Sequence, residues 1–172
     1  MNDYLLPILI IVFIFALVLI VSKLAKNKSC NFDERQELIR GRAFKYAFFS
    51  ILIYVAGYGV ISALFEKDFM TTPAALYAGI YIALVIFAVY NIWNESFFAL
   101  KQTPIPFIVL FSITTICSGY GGISSIKDGS IIENGLLTFD FMSLVASIAF
   151  AVIVITILIR LIINKKSEQE GE

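Results

Sequence analysis

The sequence contains no histidine and little charge: aspartate, glutamate, lysine and arginine together make up 15% of its 172 residues. Without histidine it has neither the commonest proton shuttle nor the commonest transition-metal ligand. The sequence also lacks the HExxH and CxxC motifs, the phosphate-binding glycine loop and the GxSxG nucleophile motif. We therefore expect no catalytic residues, no metal site and no cofactor, and we interpret the protein as non-enzymatic.

Charge is also missing from five long stretches, and this pattern predicts the fold class. The uncharged runs cover 4–22, 46–65, 69–94, 102–126 and 141–159. Each is close to the roughly 20 residues that an α-helix needs to span a bilayer core of about 30 Å. A membrane β-strand would be about ten residues of alternating polarity. The chain, which is 59% hydrophobic, is therefore predicted to be an all-α polytopic membrane helix bundle with five transmembrane helices.

The distribution of lysine and arginine predicts the orientation of this bundle. If the N-terminus is outside, the inner segments carry 11 lysine and arginine residues, and the outer ones carry two, Lys67 and Lys127. Cytoplasmic loops of membrane proteins are enriched in these residues. We therefore predict an N-out, C-in protein that spans the cell (plasma) membrane several times. Its basic inner surface is expected to face the lipid bilayer's anionic headgroups and not to bind nucleic acid directly.

The whole chain, 1–172, is predicted to form a single membrane domain, because stripes of small residues on several spans provide contacts between them. The predicted spans are about 4–22, 46–65, 73–93, 105–124 and 141–162. Residues 31–45, with Asn31 as the N-cap, are predicted to form a cytoplasmic juxtamembrane helix that continues into the second span. A short tail, 167–172, is predicted to be disordered. The turn signals at 128–129 and 134–135 predict a small external hairpin.

Small residues spaced by four along a membrane helix let two backbones approach closely. Such stripes occur in the third span at Ala75, Gly79 and Ala83, and in the fifth at Ser143, Ser147 and Ala151. We interpret them as contacts between helices of one bundle.

The densest cluster of charge lies in the juxtamembrane helix. Its candidate docking residues are Asp33, Glu34, Arg35, Glu37, Arg40 and Arg42. We interpret them as a docking surface for a cytoplasmic protein partner, such as a component of a regulatory system. Charge and helix signals are concentrated here, whereas the apolar runs hold no aspartate, glutamate, lysine, arginine or histidine. The alternative for the same residues is a solvated loop that only sets the topology.

A second hypothesis is a transport or immunity role, in which the bundle binds a small apolar solute, lipid or peptide. Its candidate solute-facing residues are Ser112, Thr115 and Ser118 in the fourth span. The alternative is that these hydroxyl groups bond to their own helix or to a neighbour, as they usually do in lipid. A third hypothesis, an enzyme acting on lipid headgroups through the acidic residues of 31–45, has no metal site to support it. Partner identity and oligomeric state do not follow from the sequence.

The charged segment also carries a resemblance. The sequence DERQ at 33–36, followed by RGRAFKYAFF at 40–49 leading into a span, resembles the juxtamembrane pattern of small uncharacterised multi-pass membrane proteins of Gram-positive bacteria. The similarity covers roughly residues 31 to 65. It implies a domain of unknown function, whose family members often occur beside small helix-turn-helix regulators, and it provides no catalytic residue to carry over.

Overall fold

A computed structural model of the protein describes residues 32–99 and 102–170. It is mostly helical, with four long helices and one two-stranded hairpin. The helices are α1 (Glu34–Phe65), α2 (Thr72–Trp93), α3 (Ile105–Asp128) and α4 (Phe141–Glu170), and the strands are β1 (Ile132–Glu133) and β2 (Leu136–Leu137). The first predicted span, 4–22, lies outside the described residues.

All four helices are long and apolar enough to cross a membrane, which confirms a helical bundle with four candidate spans. α1 begins at Glu34 and runs without a break through the second predicted span, as the sequence predicts for the juxtamembrane segment. α3 extends to Asp128, past the predicted end at residue 124. α4 is helical through Glu170, and so includes residues 167–170, for which the sequence predicts disorder. Its polar end is rich in lysine, glutamate and glutamine, which have good helix propensity.

The helices pack side by side in the order α1, α2, α4, α3. The two central helices bury most of the core, and Ile92 of α2 packs with Ile153 and Ile157 of α4. In the edge helices, Ala43 is the only buried residue of α1 and Gly122 the only buried residue of α3. Most of the surface of α1 and α3 is therefore apolar and exposed, as expected for helices that face lipid.

Small residues permit the contact between α1 and α2, as the stripe in the third predicted span indicates. Ala75 and Gly79 are buried, and the ring of Tyr54 from α1 lies against Gly79. A Cβ atom added to Gly79 would lie 2.8 Å from Tyr54 Cδ1. Only glycine therefore leaves room for this ring at the backbone of α2.

The contact between α3 and α4 also uses small side chains. Ser147 Oγ donates a hydrogen bond to the carbonyl oxygen of Thr115 at 3.0 Å. Gly122 faces Leu144, whose Cγ would lie 2.6 Å from a Cβ atom added to the glycine. Farther along the same pair, the rings of Phe111 and Phe150 stack with their centroids 5.8 Å apart.

The helices run alternately up and down, so the bundle has two ends. The Glu34 end comprises the start of α1, the residues around the α2–α3 connection and the end of α4. The hairpin end comprises the connections 66–71 and 129–140.

The hairpin itself confirms the predicted turn. Asn134 and Gly135 both have positive φ, 52° and 79°, as a two-residue type I′ turn requires, and they join paired strands β1 and β2. The hairpin is attached to the α1–α2 connection, because the Leu137 N–H donates to the Phe69 carbonyl at 3.0 Å and the Thr71 N–H donates to the Leu137 carbonyl at 2.9 Å.

Candidate docking surface and polar contacts at the Glu34 end

The first turn of α1 is built around Asp33 and Gln36. Asp33, rather than the predicted Asn31, is the N-cap, and its backbone N–H donates to Gln36 Oε1 at 3.3 Å. Glu34 and Glu37 lie in the same turn, where negative charge is favourable because the helix dipole is positive at its start. The juxtamembrane segment is therefore helical, as predicted, and its first turn is stabilised by the N-cap and the two acidic residues.

The six candidate docking residues do not share one environment. Five of them are exposed: Asp33, Glu34, Arg35, Glu37 and Arg42. Arg40 is half-buried, and its guanidinium lies 4.0 Å from the centroid of the Phe32 ring. The structure thus separates Arg40 from the set and leaves the other five, which we call the α1 charged surface, open to contact.

Leu38 lies at the centre of the α1 charged surface, with 69% of its area exposed. Residues three or four apart on a helix are neighbours, so Leu38 adjoins Glu34, Arg35 and Arg42. Glu37 and Asp33 continue the acidic side away from the two arginines. An apolar centre with a charged rim of both signs is the usual anatomy of a protein–protein contact.

Gln36 fastens this part of α1 to the rest of the bundle. Its Nε2 group donates to the carbonyl oxygen of Glu95 at 2.8 Å and to that of Phe98 at 3.2 Å. Because the same side chain also accepts the bond from Asp33, the start of α1 is linked directly to the turn that follows α2. The α1 charged surface is therefore carried on a fixed helix.

The turn after α2 is held by a buried polar pair, Asn91 and Ser96. Ser96 Oγ donates to Asn91 Oδ1 at 2.7 Å, and Asn91 Nδ2 donates to the Phe87 carbonyl at 2.8 Å. Both side chains are almost fully buried, and the Ser96 N–H closes the turn on the Asn91 carbonyl at 2.9 Å. The pair therefore holds the turn that contains Glu95, whose carbonyl oxygen accepts a bond from Gln36.

An ion pair joins the same turn to α4. Arg160 Nη2 donates to Glu95 Oε1, with Arg160 a quarter exposed and Glu95 about half exposed. Glu95 has a positive φ of 57°, a backbone conformation that few residues other than glycine adopt. Among the described residues, no acceptor pairs with the buried Nε of Arg160. Glu95 thus contacts α1 through its backbone and α4 through its carboxylate.

The candidate solute-facing residues are half-buried and lie along α3. Thr115 donates its hydroxyl to the Phe111 carbonyl of its own helix at 2.8 Å, and its carbonyl accepts the bond from Ser147 of α4. Thr115 therefore takes part in helix packing. Ser112 and Ser118 lie about one turn to either side of it on the same helix.

Comparisons with protein-family models, with curated proteins and with solved structures find no match to this chain. The resemblance of residues 31–65 to small membrane proteins of Gram-positive bacteria therefore stays a prediction. Within residues 32–99 and 102–170, no three histidine, cysteine, aspartate or glutamate side chains come together in a group that could hold a metal ion.

The sequence does not indicate the contacts made by Gln36, by Asn91 and Ser96, or by the Glu95–Arg160 pair. The one available signal is position: Asn91 and Ser96 flank the end of an apolar run, where the last carbonyl groups of a helix need partners. The partners of Gln36 are 59 and 62 residues away in the chain, and no local pattern indicates them.

Proposed function

We propose that the protein is a non-enzymatic plasma-membrane protein that crosses the bilayer five times, N-out and C-in, and presents the α1 charged surface to a cytoplasmic protein. The Glu34 end is then cytoplasmic. Support for this orientation comes from where the basic residues lie. Of the lysine and arginine residues that the structure describes, two lie at the hairpin end, Lys67 and Lys127. Seven lie at the Glu34 end: Arg35, Arg40, Arg42, Lys45, Arg160, Lys165 and Lys166. Such an asymmetry favours the cytoplasmic side for the richer end.

The observation that carries the docking role is that five exposed charges and an exposed leucine lie on a helix held in place by Gln36. A partner that binds there loses little conformational entropy in the receiving surface, because the helix is already ordered. Burial of Leu38 at the centre would provide apolar contact, and the acidic and basic sides of the surface would select a partner of complementary charge pattern.

The orientation is tested by cysteine labelling in a variant whose two native cysteines are replaced by serine. A cysteine at position 35 and one at position 133, each in its own variant, are exposed to a membrane-impermeant maleimide on intact cells. We expect labelling at 133 in intact cells and at 35 only after permeabilisation. The reverse pattern would overturn the orientation and the cytoplasmic partner with it.

The docking role is tested by reversing three charges of the α1 charged surface, with Glu34→Lys, Arg35→Glu and Arg42→Glu. The matched control reverses three exposed charges at the hairpin end, with Lys67→Glu, Asp68→Lys and Glu133→Lys. Each protein is purified in mild detergent, and its partners are identified by mass spectrometry. We expect a partner that is present with the native chain and the control and is lost with the α1 variant. Identical partners for all three proteins, with insertion unchanged, would refute docking at this surface.

A further inference from the structure

A cavity of about 340 Å³ opens at the Glu34 end beside Arg40. It lies between the start of α1, the last part of α2 and the first turn of α3. Its walls are mainly aromatic, formed by Phe32, Phe87, Phe97 and Phe107. A volume of this size is within the range of small-molecule sites, about 300–1,000 Å³.

Arg40 is the one charged residue among those that line this cavity. Its guanidinium stacks on the Phe32 ring, and within residues 32–99 and 102–170 no oxygen atom accepts a hydrogen bond from it. Two other polar lining residues, Asn91 and Ser96, bond to each other, and Gln102 Oε1 accepts the Ala99 N–H at 3.3 Å. Among the described lining residues, Arg40 is therefore the cation that offers unused donors to this cavity.

A guanidinium with free N–H groups is a fork that matches phosphate and carboxylate oxygens. Because the cation is partly buried, an anion there gains more than it would beside an exposed arginine. The four phenylalanine rings surround this cation with apolar surface. A ligand that satisfies both features has an anionic group next to a hydrocarbon part.

The depth of the cavity indicates where such a ligand comes from. Phe87 packs on Phe44 of α1 with ring centroids 4.5 Å apart, and one turn later Tyr90 packs on Tyr46 at 5.0 Å. Trp93, the last residue of α2, is exposed. Tyrosine and tryptophan at the end of an apolar helix mark the level of the lipid headgroups. The cavity is thus placed where a phospholipid has its phosphate.

We propose that this cavity binds an anionic phospholipid of the leaflet at the Glu34 end, with the lipid phosphate accepting hydrogen bonds from Arg40. The glycerol and the first part of an acyl chain lie against Phe97 and Phe107. Arg40 thereby has a role separate from the α1 charged surface, and Arg42, two residues away and exposed, has none in this site.

The test is native mass spectrometry of the detergent-purified protein with equal amounts of phosphatidylglycerol and phosphatidylcholine. We expect the native chain to retain phosphatidylglycerol in preference, because the quaternary ammonium of phosphatidylcholine offsets the charge of its phosphate beside the Arg40 cation. Loss of hydrogen bonds to a charged group predicts that Arg40→Gln lowers this retention by about tenfold or more. The control Arg42→Gln removes the same charge nearby and should retain the lipid as the native chain does.

Inorganic phosphate and glycerol 3-phosphate, added in excess, distinguish a lipid from a soluble anion. We expect neither to displace phosphatidylglycerol, because neither has an acyl chain to contact the phenylalanine walls. Displacement by either compound, equal retention of the two lipids, or equal loss in the Arg40 and Arg42 variants would each overturn the proposal.

If Arg40→Gln is not folded by circular dichroism and gel filtration, the comparison is made between Arg40→Lys and Arg42→Lys. Lysine keeps the charge but lacks the planar fork, so a severalfold loss of lipid retention is expected for the first variant alone. Unchanged retention in Arg40→Lys would contradict a site built on the guanidinium.

Discussion

Replacing Gly122 with alanine tests how the edge helix α3 is held against α4. The glycine is buried, and an added Cβ would lie 2.6 Å from Leu144 Cγ and 3.1 Å from the Leu144 backbone nitrogen. The leucine side chain can rotate away in part, but its backbone nitrogen moves only if α4 moves. The added methyl group therefore has to separate the two helices or distort one of them.

Two opposing terms set the magnitude of this effect. Inserting a methyl group into a well-packed contact costs typically about 1–3 kcal/mol, whereas replacing glycine by alanine inside a helix gains roughly 0.5–1 kcal/mol. Gly57 of α1 is the matched control, because an added Cβ there has no atom within 4 Å. The helix-propensity gain is common to both changes, so Gly122→Ala should be less stable than Gly57→Ala by about 1–3 kcal/mol.

The assay is equilibrium unfolding in mixed detergent micelles titrated with sodium dodecyl sulfate. We expect Gly57→Ala to unfold at slightly higher dodecyl sulfate than the native chain and Gly122→Ala to unfold at lower. Equal midpoints for the two variants would show that α3 does not approach α4 closely at residue 122, and the packing described for this pair would then be wrong.

Three further changes probe the two ends of the bundle. Gln36→Ala removes two hydrogen bonds to the turn after α2 and should lower the free energy of unfolding by about 1–2 kcal/mol. The control Arg35→Ala, on the exposed side of α1, should leave the unfolding midpoint unchanged, and equal effects of the two variants would contradict the role of Gln36 in holding α1 to that turn. Tyr58→Phe removes the hydroxyl group that accepts a hydrogen bond from the Met70 N–H and donates one to the Met70 carbonyl, each at 3.3 Å. Amide hydrogen exchange at 68–71 should therefore become faster, and unchanged exchange would refute this contact. Gly135→Ala places a side chain on a residue with a φ of 79° and should destabilise the hairpin by about 1–2 kcal/mol. We expect faster amide hydrogen exchange in residues 132–137, and unchanged exchange would contradict this prediction.

The four described helices could be predicted because the bilayer fixes their length. An uncharged run of about 20 residues has few stable forms other than a spanning helix, and each such run after residue 31 is a helix in the structure. The C-terminal helix ends were less accurate, since the residues at 125–128 and 163–170 extend their helices beyond the predicted spans. The hairpin was predicted because Asn134 and Gly135 have a specific backbone requirement.

The candidate site could be predicted only in its exposed part. The sequence indicates which residues are charged, and five of the six are exposed on α1 as a docking surface requires. The charge pattern of the sequence does not distinguish Arg40 from Arg42, although residues two apart point to different sides of a helix. Which of the two faces the bundle depends on where α2 and α3 lie, and that information is in long-range packing. The fifth span stays a prediction because 4–22 is outside the described residues, and the orientation stays one because helix length and hydropathy do not distinguish the two sides of a membrane.

The polar contacts at the two ends explain how an apolar bundle fixes the register of its helices. Small residues let helices approach, and their fit against a facing side chain, as at Gly79 and Gly122, constrains the axial offset. Hydrogen bonds add a further constraint, because they fail when donor and acceptor shift by an ångström or two. Gln36 ties α1 to the end of α2, Glu95 ties that end to Arg160 of α4, and the Leu137 contacts tie the hairpin to the α1–α2 connection. Part of the arrangement is therefore specified by residues in and beside the connections, where the hydropathy pattern carries no information about them.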